Sequence, residues 1–489
     1  MRGDSNNDHL QRRNDELETE NAALRELIEG LRAENAELKA RIVELERKAG
    51  RNSNNSSLPP SRDDNEARED RANRAARRRA QRQARRKPGK QPGDPGAHLA
   101  QVADPDHVVP HVPTHCGDCG ASLAKATVTG TEVRQVFDLP KRRREVTEHR
   151  AEWRKCACGC ETGGAFPPEA TAPTAWGPRV RAYALYLMNR QLIPVERTAE
   201  AMSDLLGAPV STGFLAGLAK QAAAGLDEFA CSLADAVADA EVVHVDETGS
   251  RVAGTKWWWH VASTSLLTFL GIHPKRGVEA TDAFGILPRF SGILVHDRWA
   301  PYWRYDEAGH AICNAHILRD LEDVAAYLDQ EEWANAMSKL LVDAKARAEV
   351  ATEAGLDAVP IGQYRWLWGR YNAIVEAAFE ANPEPEGRKR NAAEKAAYNL
   401  AVALENHADE ILLFISDLRV SFDNNQAERD LRMAKLQQKI SGCFRTEVGA
   451  RNFARIRSYI ETGRKHGLNP VDLLTDLFMG KPWMIPQTT

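Results

Sequence analysis

Three carboxylates stand out by the segments that carry them. Asp246 lies at the acidic end of "VVHVDETGS", where Val242, Val243, His244 and Val245 read as a strand entering a core. Asp297 closes a second apolar run, "SGILVHD". Glu428 lies in "FDNNQAERDLRMAKLQQK", which reads as a helix opened by asparagine caps. Spacings of four, three and four put Glu428, Arg432, Lys435 and Lys439 on one helix face, with Ala427, Leu431 and Ala434 on another, buried one. Each acid alone has an ordinary explanation. A carboxylate at a strand end is most often the solvated start of a turn, and Glu428 with Arg432 also reads as an i, i+4 ion pair. Together they fit Mg²⁺, which takes oxygen ligands and keeps several waters. Two such ions about 3.5–4 Å apart clamp the attacking and leaving oxygens of an in-line phosphoryl transfer. Glu247 is an alternative ligand to Asp246.

The elements that must position these acids follow from periodicity. "EVVHVDE", "KWWWHVAST" and "LLTFLGIH" succeed one another at hairpin spacing and predict three strands, the first ending at or near Asp246. A helix is expected over 277–287, then "SGILVHD" as a fourth strand. "AGHAICNAH" is a fifth, running into a helix that begins near Ile317. With a further helix expected between the last two strands, this is an α/β layout with a mixed sheet. The run Trp257–Trp259 reads as a strand packing both faces of that sheet, in preference to a stacking platform for a base. Residues 320–420 are alanine- and leucine-rich and read as a helical insertion. Glu428 then returns on a helix from across the site, and Glu247, as the neighbour of Asp246, should face the opposite side.

The 489-residue chain is long for one domain and is 43% hydrophobic, enough for a substantial core. Its net charge of −4 makes it no polyanion binder by bulk charge. It has no apolar run of about 18 residues, and its start is polar and acidic, so neither a membrane span nor a signal peptide is expected. Cytoplasmic, nucleoid-associated residence is the expectation. Leucine recurs every seventh residue at Leu10, Leu17, Leu24, Leu31, Leu38 and Leu45, with Asn14, Asn21 and Asn35 among the alternate apolar positions. That is the pattern of a parallel two-stranded coiled coil, whose asparagines fix register and oligomer state. A polar linker with Pro59 and Pro60 follows, then a basic run, residues 68–90, that includes Arg77, Arg78, Arg79, Arg85 and Arg86. Such a run suits phosphate-backbone contact without sequence reading.

"CGDC" and "CACGC" place Cys116, Cys119 and Cys156 as three thiolates of a structural zinc site. Cys158 or Cys160 supplies the fourth, with His115 a further candidate. Residues 196–221 read as helix, a turn at Gly207–Pro209, and a second helix from a Ser211 cap. This is the shape of a helix-turn-helix, and of any helical hairpin with a glycine turn.

The motifs "NSSLPPS", "GKQPGDPG", the paired cysteines, "HVDETGSRV", "PKRG", "GILVHDRWAPY", "CNAHILRDL", "DNNQAERDLR", "GLNPVDLL" and "KPWMIP" occur in this order. By them the chain resembles the large transposase of the insertion sequence 66 family. The resemblance implies a multidomain α+β protein: a coiled coil (1–50), a polar and basic linker (51–100), a zinc-binding module (101–170) and a helical, helix-turn-helix-like DNA-binding region (171–240). An RNase H-like α/β catalytic core (241–319 and 421–489), interrupted by the helical insertion (320–420), would complete it. It implies Asp246, Asp297 and Glu428 as the catalytic acids binding Mg²⁺ or Mn²⁺, and metal-dependent DNA strand cleavage and transfer at the ends of a mobile element. Arg432, Lys435 and Lys439 join the basic run as DNA contacts. A homodimer or higher oligomer through the coil, and two small accessory proteins of the same element, are the implied protein partners. Cys313 and His316 also belong to the family pattern, either near the catalytic pocket or as a packing cysteine and a satisfied histidine. Two other functions remain consistent with the residues: a non-catalytic zinc-containing DNA-binding regulator, and a metal nuclease of the same fold that cuts without strand transfer.

The heptad generates a test of its own. A peptide of residues 1–50 should be helical and sediment as a dimer at micromolar concentration; a persistently monomeric peptide would contradict the register read from the six leucines.

Overall fold

The computed structural model describes residues 101–138, 144–167, 169–170, 172–326, 330–385 and 389–486. The chain divides into two compact units, Met1–Leu139 and Pro140–Thr489. The heptad leucines and the five arginines of the basic run lie outside the described residues.

In the first unit the Cys116–Cys119 stretch closes a tight turn, Gly120 N donating to Cys116 O at 3.0 Å and Cys116 N to Ala121 O at 2.8 Å. In the second, β1 (Trp153–Lys155) and β2 (Glu161–Gly163) pair antiparallel around the other cysteine cluster. There Cys156 N donates to Cys160 O at 2.8 Å. Backbone N–H groups of Cys119 and Asp118 hold the Cys116 thiol below the usual range, and that of Cys160 does the same for Cys158. All eight cysteines are free, and among the described residues no three His, Cys, Asp or Glu side chains gather so as to hold an ion. Among the described residues each cysteine cluster closes a turn of its own, and the expected zinc site of Cys116, Cys119, Cys156 and Cys158 finds no support there. A Cys-x-x-Cys spacing brings two thiols into one turn, but nothing in it brings a second pair to them.

Helices α1 (Pro178–Leu185), α2 (Val195–Leu206), α3 (Thr212–Ala224) and α4 (Asp227–Ala238) follow. Between α2 and α3, Gly207 adopts φ 60°, the left-handed conformation a non-glycine residue avoids. Ser211 caps α3 by accepting from Phe214 N at 3.2 Å. Leu215, Leu218, Ala222 and Ala223 of α3 are buried.

The core of the second unit is a five-stranded sheet of order β5-β4-β3-β6-β7. Strands β3 (Val242–Val252), β4 (Thr255–Ser263) and β5 (Thr268–His273) form an antiparallel meander. Strands β6 (Ile293–His296) and β7 (Gly309–Ile312) run parallel to β3. Helix α5 (Val278–Ala283) joins β5 to β6, but only a 3₁₀ turn over Ala300–Arg304 joins β6 to β7, where a helix was expected.

The first strand is longer than its apolar run. Ala253 (φ 49°) and Gly254 (φ 80°) make a two-residue hairpin turn, whose twist matches the strands and carries the ladder to the pair Val252↔Thr255. Asp246 is thus mid-strand, not terminal. Its parallel partner β6, however, pairs only with Val242, Val243 and His244, so on that side Asp246 stands where the ladder stops.

Beyond β7 come α6 (Asn314–Ala325), α7 (Glu331–Glu353), α8 (Ile361–Glu380), α9 (Ala392–Asn406) and α10 (Ala408–Ser416). Helix α6 starts at Asn314, earlier than the expected Ile317, because Cys313 already takes the N-cap position. Then α11 (Asn425–Ser441), α12 (Glu447–Lys465) and α13 (Pro470–Phe478) close the chain. Alternation sorts the sheet's side chains. Val243, Val245, Ala262 and Leu294 meet α1, α3, α4 and the C-terminal helices. On the opposite face Trp257, Trp259 and Val261 pack against Ala427, Leu431 and Ala434 of α11, while Val295, Ala311 and Ile312 pack against α6–α10. Trp258, between Trp257 and Trp259, turns to the other face, where it meets Lys256 and Arg276 instead of a core cluster. Among the described residues no helix is long and apolar enough to cross a membrane.

Candidate active site

The parallel register His244↔Val295, carried on by two residues, sets Asp297 beside Asp246 on the sheet face that meets α11. The two aspartates occupy the gap between the apolar cluster under α11 and the cluster under α6–α10. Asp246 Oδ1 accepts from Glu247 N at 2.8 Å, and Asp297 Oδ1 accepts from Trp299 N at 3.0 Å. Burial pushes the Asp246 carboxyl up to about 7, with the charges of Glu247, Asp297 and Glu428 adding to the effect. The three expected acids are therefore electrostatic neighbours. They do not converge on one point: Glu428 Oε1 lies 3.4 Å from Arg319 Nη2 and 3.9 Å from His316 Nε2, both on α6. Three carboxylates repel, and each has turned to a donor or cation of its own. Carboxylate oxygens of this kind are ligands of a hard divalent cation, whose charge would favour the ionised form of Asp246.

Glu428 is held in place by its helix, and the helix by Asn424. Asn424 stands at the N-cap of α11 yet its side chain makes no cap bond, correcting the expectation of an asparagine cap. Instead its Nδ2 donates to Val245 O at 2.7 Å and its Oδ1 lies 2.9 Å from His244 Nδ1. Its backbone N–H points at Cys313 Sγ, 3.1 Å away. Six residues further along, Asp430 Oδ2 accepts from Ser263 Oγ at 2.7 Å, Thr268 Oγ1 at 3.0 Å and Lys465 Nζ at 2.9 Å. The helix is pinned to β3, β4 and β5 on either side of Glu428.

Helix α6 supplies the rest. His316, Arg319 and Asp320 lie three and four residues apart, on one helix face. Asp320 pairs with Arg298, which follows Asp297 and holds φ 73°, a left-handed conformation costing a non-glycine residue on the order of 1 kcal/mol. Arg298 N also donates to His296 Nδ1 at 3.1 Å. Burial lowers the basicity of His316, and the neighbouring Arg319 lowers it further, against the opposing charges of Asp297 and Glu428. Its Nδ1 is buried without a hydrogen-bond partner. Cys313 is a packing cysteine that also receives the Asn424 N–H, while His316 stands among the acids. Sequence reading assigned no role to Arg298, Arg319 or Asp320, and to Asn424 only that of a cap. The i, i+3, i+4 pattern of charges after "CNAH" was the available signal.

Glu247 does face away, as strand alternation requires. It is buried on the opposite face, where Arg276 and Tyr302 bond its carboxylate, and burial raises its pKa. Arg432, Lys435 and Lys439 are exposed along α11.

Two measurements test this geometry. Asn424→Ala removes the partner of His244 Nδ1 and a donor to Val245 O in the interior and should lower the unfolding free energy in urea by about 1–3 kcal/mol. Asp246 titrates near 7 when folded against an ordinary 3.8. The folded state thus holds more protons between these values, so stability from this group falls as pH rises through that window. In chelator-treated protein, Asp246→Asn should match wild type near pH 4 and exceed it in melting temperature above pH 7. Parallel pH profiles would show that Asp246 is not buried among like charges.

Residues 173–452 match the Transposase IS66 family, and residues 5–100 match a family of unknown function, DUF6444. Over 407 residues the chain is 24% identical to the uncharacterized protein y4qI of Sinorhizobium fredii, covering 78% of this chain and 72% of that protein. The family match runs from the helices before the sheet, through all five strands, to the helix after Glu428, and so takes in every part of the site: the chain belongs to the IS66 family of transposases, enzymes that act on DNA.

Proposed function

We propose that the chain is a DDE-type DNA transposase. It binds the ends of a mobile element and uses Asp246, Asp297 and Glu428 for metal-dependent strand cleavage and transfer. The observation that carries this reading is the pair of aspartates on one face of adjacent parallel strands, with the Glu428 helix tied over them by Asn424. A sheet of three antiparallel strands followed by two parallel ones, with Asp246 on its central strand and Asp297 just past the end of the neighbouring β6, supports the RNase H-like reading of the core. Asp246, Asp297 and Glu428 would hold Mg²⁺ or Mn²⁺. When bound, such an ion supplies positive charge at the phosphoryl oxygens and lowers the pKa of an attacking water or hydroxyl.

The chain's own residues do the remaining work. Strands β3 and β6 fix the two aspartates with little freedom, so no ordering is left for the moment of reaction. Arg319 and His316 hold Glu428 on the same side of the sheet. Arg298 and Arg319 bring cationic groups within the neighbourhood of a bound phosphodiester. Arg432, Lys435 and Lys439 extend that field along α11, and Arg77, Arg78, Arg79, Arg85 and Arg86 would add sequence-independent affinity. Dimerisation through residues 1–50 would pair two such sites, one for each end of the element, with small accessory proteins of the element as further partners.

Asp246→Asn, Asp297→Asn and Glu428→Gln should each lower cleavage and joining of end-bearing DNA by at least about 10²-fold in Mg²⁺. DNA binding in Ca²⁺ should stay near wild type. Full strand transfer by Glu428→Gln would remove that residue from the reaction. Cleaved but never joined ends from the wild type would favour a nuclease.

A further inference from the structure

On the sheet face opposite Asp246, the β3–β4 hairpin carries a ledge of alternating cations and indoles. The pairs Gly249↔Trp258 and Arg251↔Lys256 lie across it, and the glycine leaves Trp258 without a side-chain neighbour on β3. Lys256 Nζ lies 4.4 Å from the centre of the Trp258 ring. The Arg276 guanidinium lies 4.9 Å from the same ring and 4.3 Å from that of Trp299. Four elements contribute: β3, β4, the loop after β5 and the loop after β6. Arg276 Nε and Nη2 also donate to Glu247 Oε1, at 3.0 and 2.6 Å. The Glu247 side chain is 1% exposed and that of Arg276 is 41% exposed, so the ion pair is rooted in the core and its cation opens to solvent.

Both inner ends of the ledge join the aspartates through hydrogen bonds. Glu247 N donates to Asp246 Oδ1 and Trp299 N to Asp297 Oδ1. The edge of β3 beyond His244, which β6 leaves unpaired, is the rim between the ledge and the acids. A guanidinium set between two indoles and a buried carboxylate has little freedom left to lose when it takes a ligand. Solvent-open cations interleaved with aromatic rings match the backbone of a nucleic acid strand.

We propose that Lys256, Trp258, Arg276 and Trp299 form a DNA-binding subsite, with Lys256 and Arg276 taking phosphates of the strand that crosses the β3 rim to the carboxylates. Arg276 is a positioning residue in it. The assignment rests on the strand-cleavage reading of those carboxylates. The shared chemistry is the DNA phosphodiester backbone, presented by a single strand or by a duplex.

The test uses the full chain and a short fluorescein-labelled DNA, single-stranded in one arm and duplex in the other, with affinity followed against salt. Lys256→Gln and Arg276→Gln should each flatten the slope of log K against log salt by roughly 0.7 for a single-strand contact or 0.9 for a duplex contact. Arg276→Lys should restore the slope. The basic run contributes equally to every variant, so the difference reports the ledge, and the arm with the larger change identifies the form of DNA. Because Arg276→Gln strands the Glu247 carboxylate, its melting temperature is measured alongside; if it unfolds, the exposed Lys256→Gln decides. Unchanged slopes in folded variants, or no binding of either probe by wild type, overturn the subsite. The two readings fail separately: unchanged slopes with cleavage still dependent on Asp246 sink the ledge alone, whereas cleavage by Asp246→Asn with flattened slopes sinks only the catalytic assignment.

Discussion

The site depends on one buried amide. Asn424 is 1% exposed and ties three stretches of chain that lie far apart in sequence: β3 through Val245 O and His244, the start of α6 through Cys313, and α11, which it opens. In the interior each of these polar groups would cost free energy if left unmade, so the amide admits essentially one arrangement of the three elements. That arrangement sets Glu428 over the face that carries Asp246 and Asp297. Lys465, Asp430, Ser263 and Thr268 repeat the device six residues along the helix.

Gathering acids in a half-buried gap is unfavourable, and the surroundings offset it unevenly. Glu428 has Arg319, and Glu247 has both Arg276 and the hydroxyl of Tyr302. Asp246 has one backbone N–H, and burial, with the charges of its acidic neighbours, forces its carboxyl up to about 7. The unevenness has chemical content. The acid with the least compensation is the one at which a divalent cation would gain most, and it sits on the central strand. One left-handed non-glycine residue, Arg298, follows Asp297 and is held by Asp320 and by His296.

Helix α6 supplies the partners of Glu428 and of Arg298, the residue after Asp297. The same helix that closes the β6–β7 parallel pair also presents His316 and Arg319 to Glu428 and Asp320 to Arg298. The helices that follow it pack under β6 and β7 and leave the α11 side of the sheet clear. A long detour in sequence is thereby a short return in space.

Much of the sheet was legible in the chain itself. Apolar alternation located all five strands, the positions of the acids followed from it, and the inward Ala427, Leu431 and Ala434 were set by helical period. These are local consequences of side-chain geometry, and residue order alone determines them. What residue order did not determine was partnership. Asp246 looked like a strand end because the apolar run stops there, whereas the Ala253–Gly254 turn prolongs the hairpin and only the shorter β6 ends. Asn424 looked like a cap because asparagine before a helix usually is one, until β3 offered a buried carbonyl. The cysteine spacing fixed two turns and left their pairing open. Glu428 lay in a helix either way, but its approach to the aspartates, and the stacking of Arg276 between Trp258 and Trp299, came from packing between segments that sequence distance keeps apart. Local rules decide which way a side chain points along its own element; only the packed core decides what it meets.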